Sequence, residues 1–248
     1  GDYAIVGAVF DDVGSNVNQG SAYVFLKSGT AWNYQAKLTA SDGSFEDWFG
    51  HSVSLSGNYA VVGSPYHDTR GNTDQGSAYI FVRSGTAWTE QAILSASDGG
   101  PNEYFGYSVS ISGADVIIGG QYSIRPGSAY VFHRDRNSWI EEAILAAADG
   151  TTEDEGFGIS VSISGDQIIV GAFENDIGKN AYQGSAYVFV RSGSSWIHQT
   201  KVTASDGEEF DYFGLSVGIS GDYAIIGAAP DDLGSNGNQG SAYIVEKK

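Results

Sequence analysis

Cysteine is absent from the chain, which excludes disulfides and thiol chemistry and leaves the compartment open. Methionine is absent too, and Gly1 already lies inside a repeat, so the expectation is a mature or excised piece whose targeting segment has been removed. No apolar run approaches the roughly 18 residues of a membrane span, and nothing at the start resembles a signal sequence, so membrane insertion is not expected. Basic residues are scarce: 12 Lys and Arg face 30 Asp and Glu, for a formal charge of −18. A surface of that sign repels phosphate backbones and anionic lipid, which excludes nucleic acid and suits cations, basic partners or simple solubility. Leu, Glu and Lys are few, whereas Gly (35 residues), Tyr (15) and Ser abound, the usage of short strands joined by tight turns.

What the chain does contain is one phrase repeated. Phe-Gly opens a copy at Phe49, Phe105, Phe157 and Phe213, and Gly-Ser-Ala-Tyr starts at Gly20, Gly76, Gly127, Gly184 and Gly240. The spacings are 56, 52 and 56 for the first motif and 56, 51, 57 and 56 for the second. A period of this size marks a repeat architecture, in which a unit cannot bury its apolar face alone. The units run 1–48, 49–104, 105–156, 157–212 and 213–248, in a single domain without a linker.

Within the second unit, Ser52 to Ser56 alternates with period two and reads as a first strand. Gly57-Asn58 turns the chain into a second strand, Tyr59 to Gly63. A polar loop, 64–75, leads to a third strand from Gly76 to Val82, and Ser84-Gly85-Thr86 turns it into a fourth from Trp88 to Leu94. Asp98-Gly99 to Tyr104 then carries the chain to the next Phe-Gly. Lone four-stranded sheets with apolar residues on both faces would aggregate, and stacking them radially resolves this, so the fold class is an all-β propeller of four-stranded antiparallel blades. The sequence supplies four first, five second, five third and four fourth strands, 18 in all. Five blades with incomplete terminal blades follow; a window cut from a larger ring is the alternative.

Phe49-Gly50 with Val62-Gly63-Ser64-Pro65, and Phe213-Gly214 with Gly227-Ala228-Ala229-Pro230, resemble the FG-GAP repeat of integrin α-subunit propellers. The chain is still more similar to a bacterial extracellular form that adds Gly-Ser-Ala-Tyr-Val-Phe and a Trp-x-x-Gln-Ala-Lys-Leu-Thr-Ala-Ser-Asp-Gly stretch. The resemblance covers essentially the whole sequence and implies one blade per repeat and a secreted or cell-surface binding role. It also raises calcium, although no copy carries the Asp-x-Asp-x-Asp-Gly loop of integrins.

Function in a propeller sits on the loops. Asp11, Asp12, Asn16 and Asn18, nearly repeated as Asp231, Asp232, Asn236 and Asn238, cluster the oxygen ligands that calcium requires. The same residue types also build turns by bonding their own backbone. Asp42-Gly43, Asp98-Gly99, Asp149-Gly150 and Asp206-Gly207 recur in every unit, each followed by an acidic residue two before Phe-Gly (Asp47, Glu103, Glu155, Asp211), and read as blade-locking turns. Trp48 stands apart from the strand-opening Trp32, Trp88, Trp139 and Trp196. With Asp47 beside it, it is a candidate ligand contact of the kind sugar sites use; the alternative, favoured by the aromatic residues at the same place in other units, is a contact between blades. Arg134 and Arg136, with Arg125, form the one local concentration of positive charge and a candidate partner patch.

Catalysis finds little support, because the four histidines fall at different repeat positions and share no common site. The expected function is a non-enzymatic extracellular adhesion or scaffold module recognising protein or glycan, with calcium as candidate cofactor. The alternatives are a multivalent lectin, or a fragment of a larger polysaccharide-active enzyme or surface protein.

Overall fold

The computed structural model describes residues 1–120, 127–149, 156–231 and 238–246, and every regular element among them is a β-strand. Blade 1 comprises β1 (Tyr3–Ala8), β2 (Ser21–Ser28) and β3 (Ala31–Leu38). Blade 2 holds β4 (Val53–Ser56), β5 (Tyr59–Ser64), β6 (Ser77–Ser84) and β7 (Ala87–Leu94). Blade 3 holds β8 (Ser108–Ser112), β9 (Asp115–Gly120), β10 (Ser128–Asp135) and β11 (Ser138–Leu145). Blade 4 holds β12 (Phe157–Ser164), β13 (Gln167–Ala172), β14 (Ser185–Ser192) and β15 (Ser195–Val202), and blade 5 holds β16 (Ser216–Ser220), β17 (Tyr223–Ala228) and β18 (Ser241–Glu246). Each blade is a consecutively ordered antiparallel meander. The 18 strands are those the repeat predicts: blade 1 lacks a first strand and blade 5 a fourth.

The core is divided among the junctions. Four separate apolar clusters each join one blade to the next. Second strands are apolar on both faces because each is covered from two sides: Val61 packs toward blade 3 and Val62 toward blade 1, both fully buried. The Phe of each Phe-Gly sits at the base of a junction, as Phe105 does against Tyr130 and Phe132 at ring distances of 5.3 and 6.1 Å.

Four polar contacts recur with this packing. Ser52, Ser108 and Ser160 Oγ donate to the carbonyls of Gly106, Gly158 and Gly214 in the next blade, each at 2.8 Å. Third-strand tyrosines donate back to the Asp-Gly turn before their blade: Tyr79 to Asp42 (2.8 Å), Tyr187 to Asp149 (2.7 Å) and Tyr243 to Asp206 (3.0 Å). These turns therefore lock blades, as the sequence suggests. The pairing of third and fourth strands carries a bulge at Val24/Phe25, Ile80/Phe81 and Val131/Phe132, and again in blade 4. The extra fourth-strand residues, Gln35, Gln91 and Glu142, accept the indole N–H of Trp88, Trp139 and Trp196 in the following blade at 3.0, 3.1 and 3.2 Å. Finally, an arginine late in the third strand caps the second strand of the preceding blade: Arg83 lies 4.4 Å from the Tyr3 ring centre and Arg134 4.2 Å from that of Tyr59.

Among the described residues the blades pack in chain order, without extensive packing of blade 5 on blade 1. Val6 is 54% exposed, whereas its copies Val62, Ile118, Val170 and Ile226 are fully buried. At the other end Ile225 is 50% exposed, against fully buried Val61, Ile117 and Ile169. The described residues form five antiparallel blades of three or four strands arranged as a β-propeller.

Candidate binding cleft

Antiparallel order sorts the loops onto two rims. Turns joining first to second and third to fourth strands lie on one rim; the long second-to-third loops and the crossings between blades lie on the other. On this long-loop rim the residue before each Phe-Gly is left-handed: Trp48, Tyr104 and Tyr212 have φ of 56°, 54° and 52°. Three of these four positions are aromatic, with Gly156 in blade 4. That turn sets the Trp48 ring between Phe10 (5.4 Å) and Tyr66 (4.4 Å), and Tyr66 in turn meets Tyr104 at 5.1 Å. A continuous aromatic row thus crosses three blades.

Beside this row, between blades 1 and 2, lies a cleft of about 520 Å³ walled by Trp48, Tyr66 and Phe45 and by five carboxylates, Asp42, Glu46, Asp47, Asp68 and Asp74. Asp47 is buried at its base, and its Oδ2 accepts the backbone N–H of Ser44 at 2.6 Å. Its copies Glu103 and Asp211 cap Gly100 and Glu208 in the same way at 2.8 and 2.5 Å. Burial pushes the Asp47 carboxyl above its ordinary value, with Asp42 and Asp68 adding repulsion. Asp74 is raised by burial and by the charge of Asp68. These carboxylates repel one another, so a positive charge placed among them is stabilised. Among the described residues the one trio of ligand-type groups converging within 4.8 Å is Asp115, His133 and Glu142, on the hairpin rim. Arg191 already bonds Asp115 (2.6 Å) and Glu142 (2.9 Å) there, so an arginine rather than a metal fills it.

Trp48 and Asp47, adjacent in the chain, both line this cleft, Asp47 with a structural bond of its own. Tyr66 and Glu46 were not singled out; the signal for Tyr66 is that it shares the repeat offset of Phe10. Arg134 and Arg136 lie on the opposite rim. Arg134 donates to the Tyr59 hydroxyl at 2.7 Å and belongs to a blade junction, whereas Arg136 is exposed in its hairpin. Arg125 lies outside the described residues.

In the Asp/Asn loops, Asp11 Oδ2 accepts Ser21 Oγ (2.5 Å) and Tyr23 OH (2.9 Å) and pairs with Lys37 (2.8 Å). Lys37, then Ser21, holds its carboxyl down at about 2. Asp12 accepts the backbone N–H of Asn18, and Asn16 bridges Gln19 and the Gly43 carbonyl. Asp231 is buried and accepts the Tyr243 hydroxyl at 3.0 Å. Asn238 is left-handed at φ 54°, and Asp232 and Asn236 lie outside the described residues.

A Ser-His-Asp sequence of contacts occurs at Ser77, His67 and Asp42, with 2.9 Å from His67 Nδ1 to Ser77 Oγ and 3.7 Å from Nε2 to Asp42. Ser77 is fully buried, and its copy Ser21 makes the matching bond to Asp11, so the contact is framework.

The fold and its loop rim define a repeat-built propeller of the binding or scaffold class. A family model described as FG-GAP repeat matches residues 32–81, 88–132, 139–189 and 196–245. The chain belongs to the FG-GAP repeat family. Each matched span starts in a fourth strand and ends in the third strand of the next blade, so the family unit straddles a junction. A comparison with curated proteins returns no match.

Proposed function

We propose that the protein is a non-catalytic, extracellular binding module that takes a lysine- or arginine-rich protein segment into the cleft between blades 1 and 2. The observation that carries this reading is the pairing of five carboxylates with an aromatic wall in one cleft. Ammonium and guanidinium groups gain from both, through charge and through contact with ring faces. Among the described residues no three of these carboxylates converge within 4.8 Å, which suits a segment bearing several cations better than one compact ion. The absence of enzyme activity is part of the proposal, supported by the burial of Ser77 and by the bonding of His51, His67 and His133 to groups of the fold.

The test is calorimetric titration with a synthetic lysine- and arginine-rich peptide, beside an acidic peptide and a panel of neutral glycans. Glu46→Gln with Asp68→Asn is expected to weaken the basic peptide at least tenfold, and Trp48→Ala comparably, with affinity falling as salt is added. Binding that ignores these changes, or a preference for glycans, would replace this reading with a different ligand or with the lectin alternative. Calcium at the Asp/Asn loops has its own test. The internal bonds of Asp11, Asp12 and Asn16 favour a turn role, so chelation is expected to leave the melting temperature unmoved, and a fall on chelation would restore the loops to metal duty.

A further inference from the structure

Left-handed residues recur in pairs on the long-loop rim, and in one blade the pair has changed its chemistry. The end of each long loop is bonded through the backbone to the crossing into the next blade: Phe210 N–H donates to the Ala181 carbonyl at 2.9 Å and Tyr212 N–H to that of Tyr182 at 3.1 Å. This pairing holds two residues, 28 apart in the chain, at positive φ: Asn18 with Glu46, Asp74 with Asn102, and Tyr182 with Phe210. Asn and Asp enter that region readily, whereas bulky side chains do not. The first two pairs are polar, but the pair that follows blade 4 is aromatic, at φ 52° and 67°. Burial does not account for it, because Tyr182 is 40% and Phe210 49% exposed.

The two rings lie 5.7 Å apart, Tyr182 also meets Tyr212 at 6.1 Å, and Tyr212 meets Phe173 at 5.6 Å. Two inner rings thus brace a solvent-facing pair. Exposed carboxylates accompany that pair: Glu208 and Glu209 directly precede Phe210, and Asp176 accepts the Tyr182 amide N–H at 2.9 Å. Lys179 is the one basic residue of the loop, 173–183, so the patch is net negative. Backbone strain that burial does not repay is characteristic of residues kept for a ligand.

We propose that Tyr182 and Phe210 form a stacking site for an arginine side chain of a partner protein. A guanidinium is planar, so it lies flat on a ring while the N–H groups at its edge donate to neighbouring carboxylates. A lysine ammonium, strongly hydrated and without a face, uses such a pair less well. Anionic partners are repelled by Glu208, Glu209 and Asp176. The site shares no residue with the cleft between blades 1 and 2, so it stands or falls apart from that reading.

Calorimetric titration with a tri-arginine amide, beside a tri-lysine amide and a panel of neutral glycans, tests this in the wild type and in the cleft variant Glu46→Gln with Asp68→Asn. In the cleft variant arginine is expected to bind about fivefold tighter than lysine. Adding Tyr182→Asn with Phe210→Asn installs the residue found at positions 18 and 102. It should weaken the arginine peptide about tenfold and leave the melting temperature unchanged or higher, since Asn accepts left-handed backbone. A fall in melting temperature would make the rings packing residues and overturn the proposal. Equal binding of the two peptides, a preference for glycans, or arginine binding that survives the ring substitutions would do the same. Loss of all arginine binding on the cleft substitutions alone overturns this site and leaves the cleft standing; loss on the ring substitutions alone does the reverse.

Discussion

At the scale of single residues the repeat leaves little room. A Cβ on Gly63 would lie 1.9 Å from the carbonyl oxygen of Gly106, across a junction where neither backbone can retreat. Gly63→Ala is expected to cost about 3 kcal/mol, as overpacking does. Gly14, left-handed at φ 65° with open space around it, should cost about 1 kcal/mol when changed to Ala. Chemical denaturation of the two variants measures the contrast. Asp11 gives a pH signature. Its carboxyl sits at about 2 in the folded protein, below its unfolded value, so its stabilisation is complete above the unfolded value and is lost as pH falls toward 2. The melting temperature should decline over that acidic window, less steeply in Lys37→Met. Arg134 shows where residue-level reading from sequence stops. Its positive charge on an acidic chain suggests a partner, yet its position in β10 lays it over Tyr59, which no local pattern reveals.

At the scale of elements the strands were legible throughout, because alternation, Gly-Asp turns and recurring motifs repeat at fixed spacing. The bulge was not, since one extra residue in a fourth strand leaves the apolar pattern of Trp88 to Leu94 intact. Its consequence is that Gln91 meets the Trp139 indole of the next blade. Trp139→Phe is expected to cost about 1 kcal/mol, read as a melting temperature lower by about 2–4 °C. In a Gln91→Ala background the same change should cost measurably less, which a double-mutant cycle shows. The cleft was legible in part. Trp48 and Asp47 stood out by departing from the aromatic set or recurring before Phe-Gly, whereas Glu46, Tyr66 and Asp74 join them only because the inter-blade crossing folds over the long loop of blade 2.

At the scale of the whole molecule, cation binding in the cleft should strengthen as pH rises from the acid side to neutrality, as Asp47, held above its ordinary value by burial, gives up its proton. Titration of the basic peptide at both ends of that range checks it; an affinity independent of pH would exclude Asp47 from the recognition. Apolar cores placed in series at the junctions, without extensive packing of blade 5 on blade 1 among the described residues, also make the propeller a one-dimensional stack in which each blade is stabilised by its immediate neighbours. Such a stack frays from its outer blades inward, and hydrogen exchange should run fastest in β1 and β18. The molecule carries its own optical record of that order: Trp88, Trp139 and Trp196 each span a different junction through the indole N–H, so single-tryptophan variants would report, blade by blade, which seam opens first.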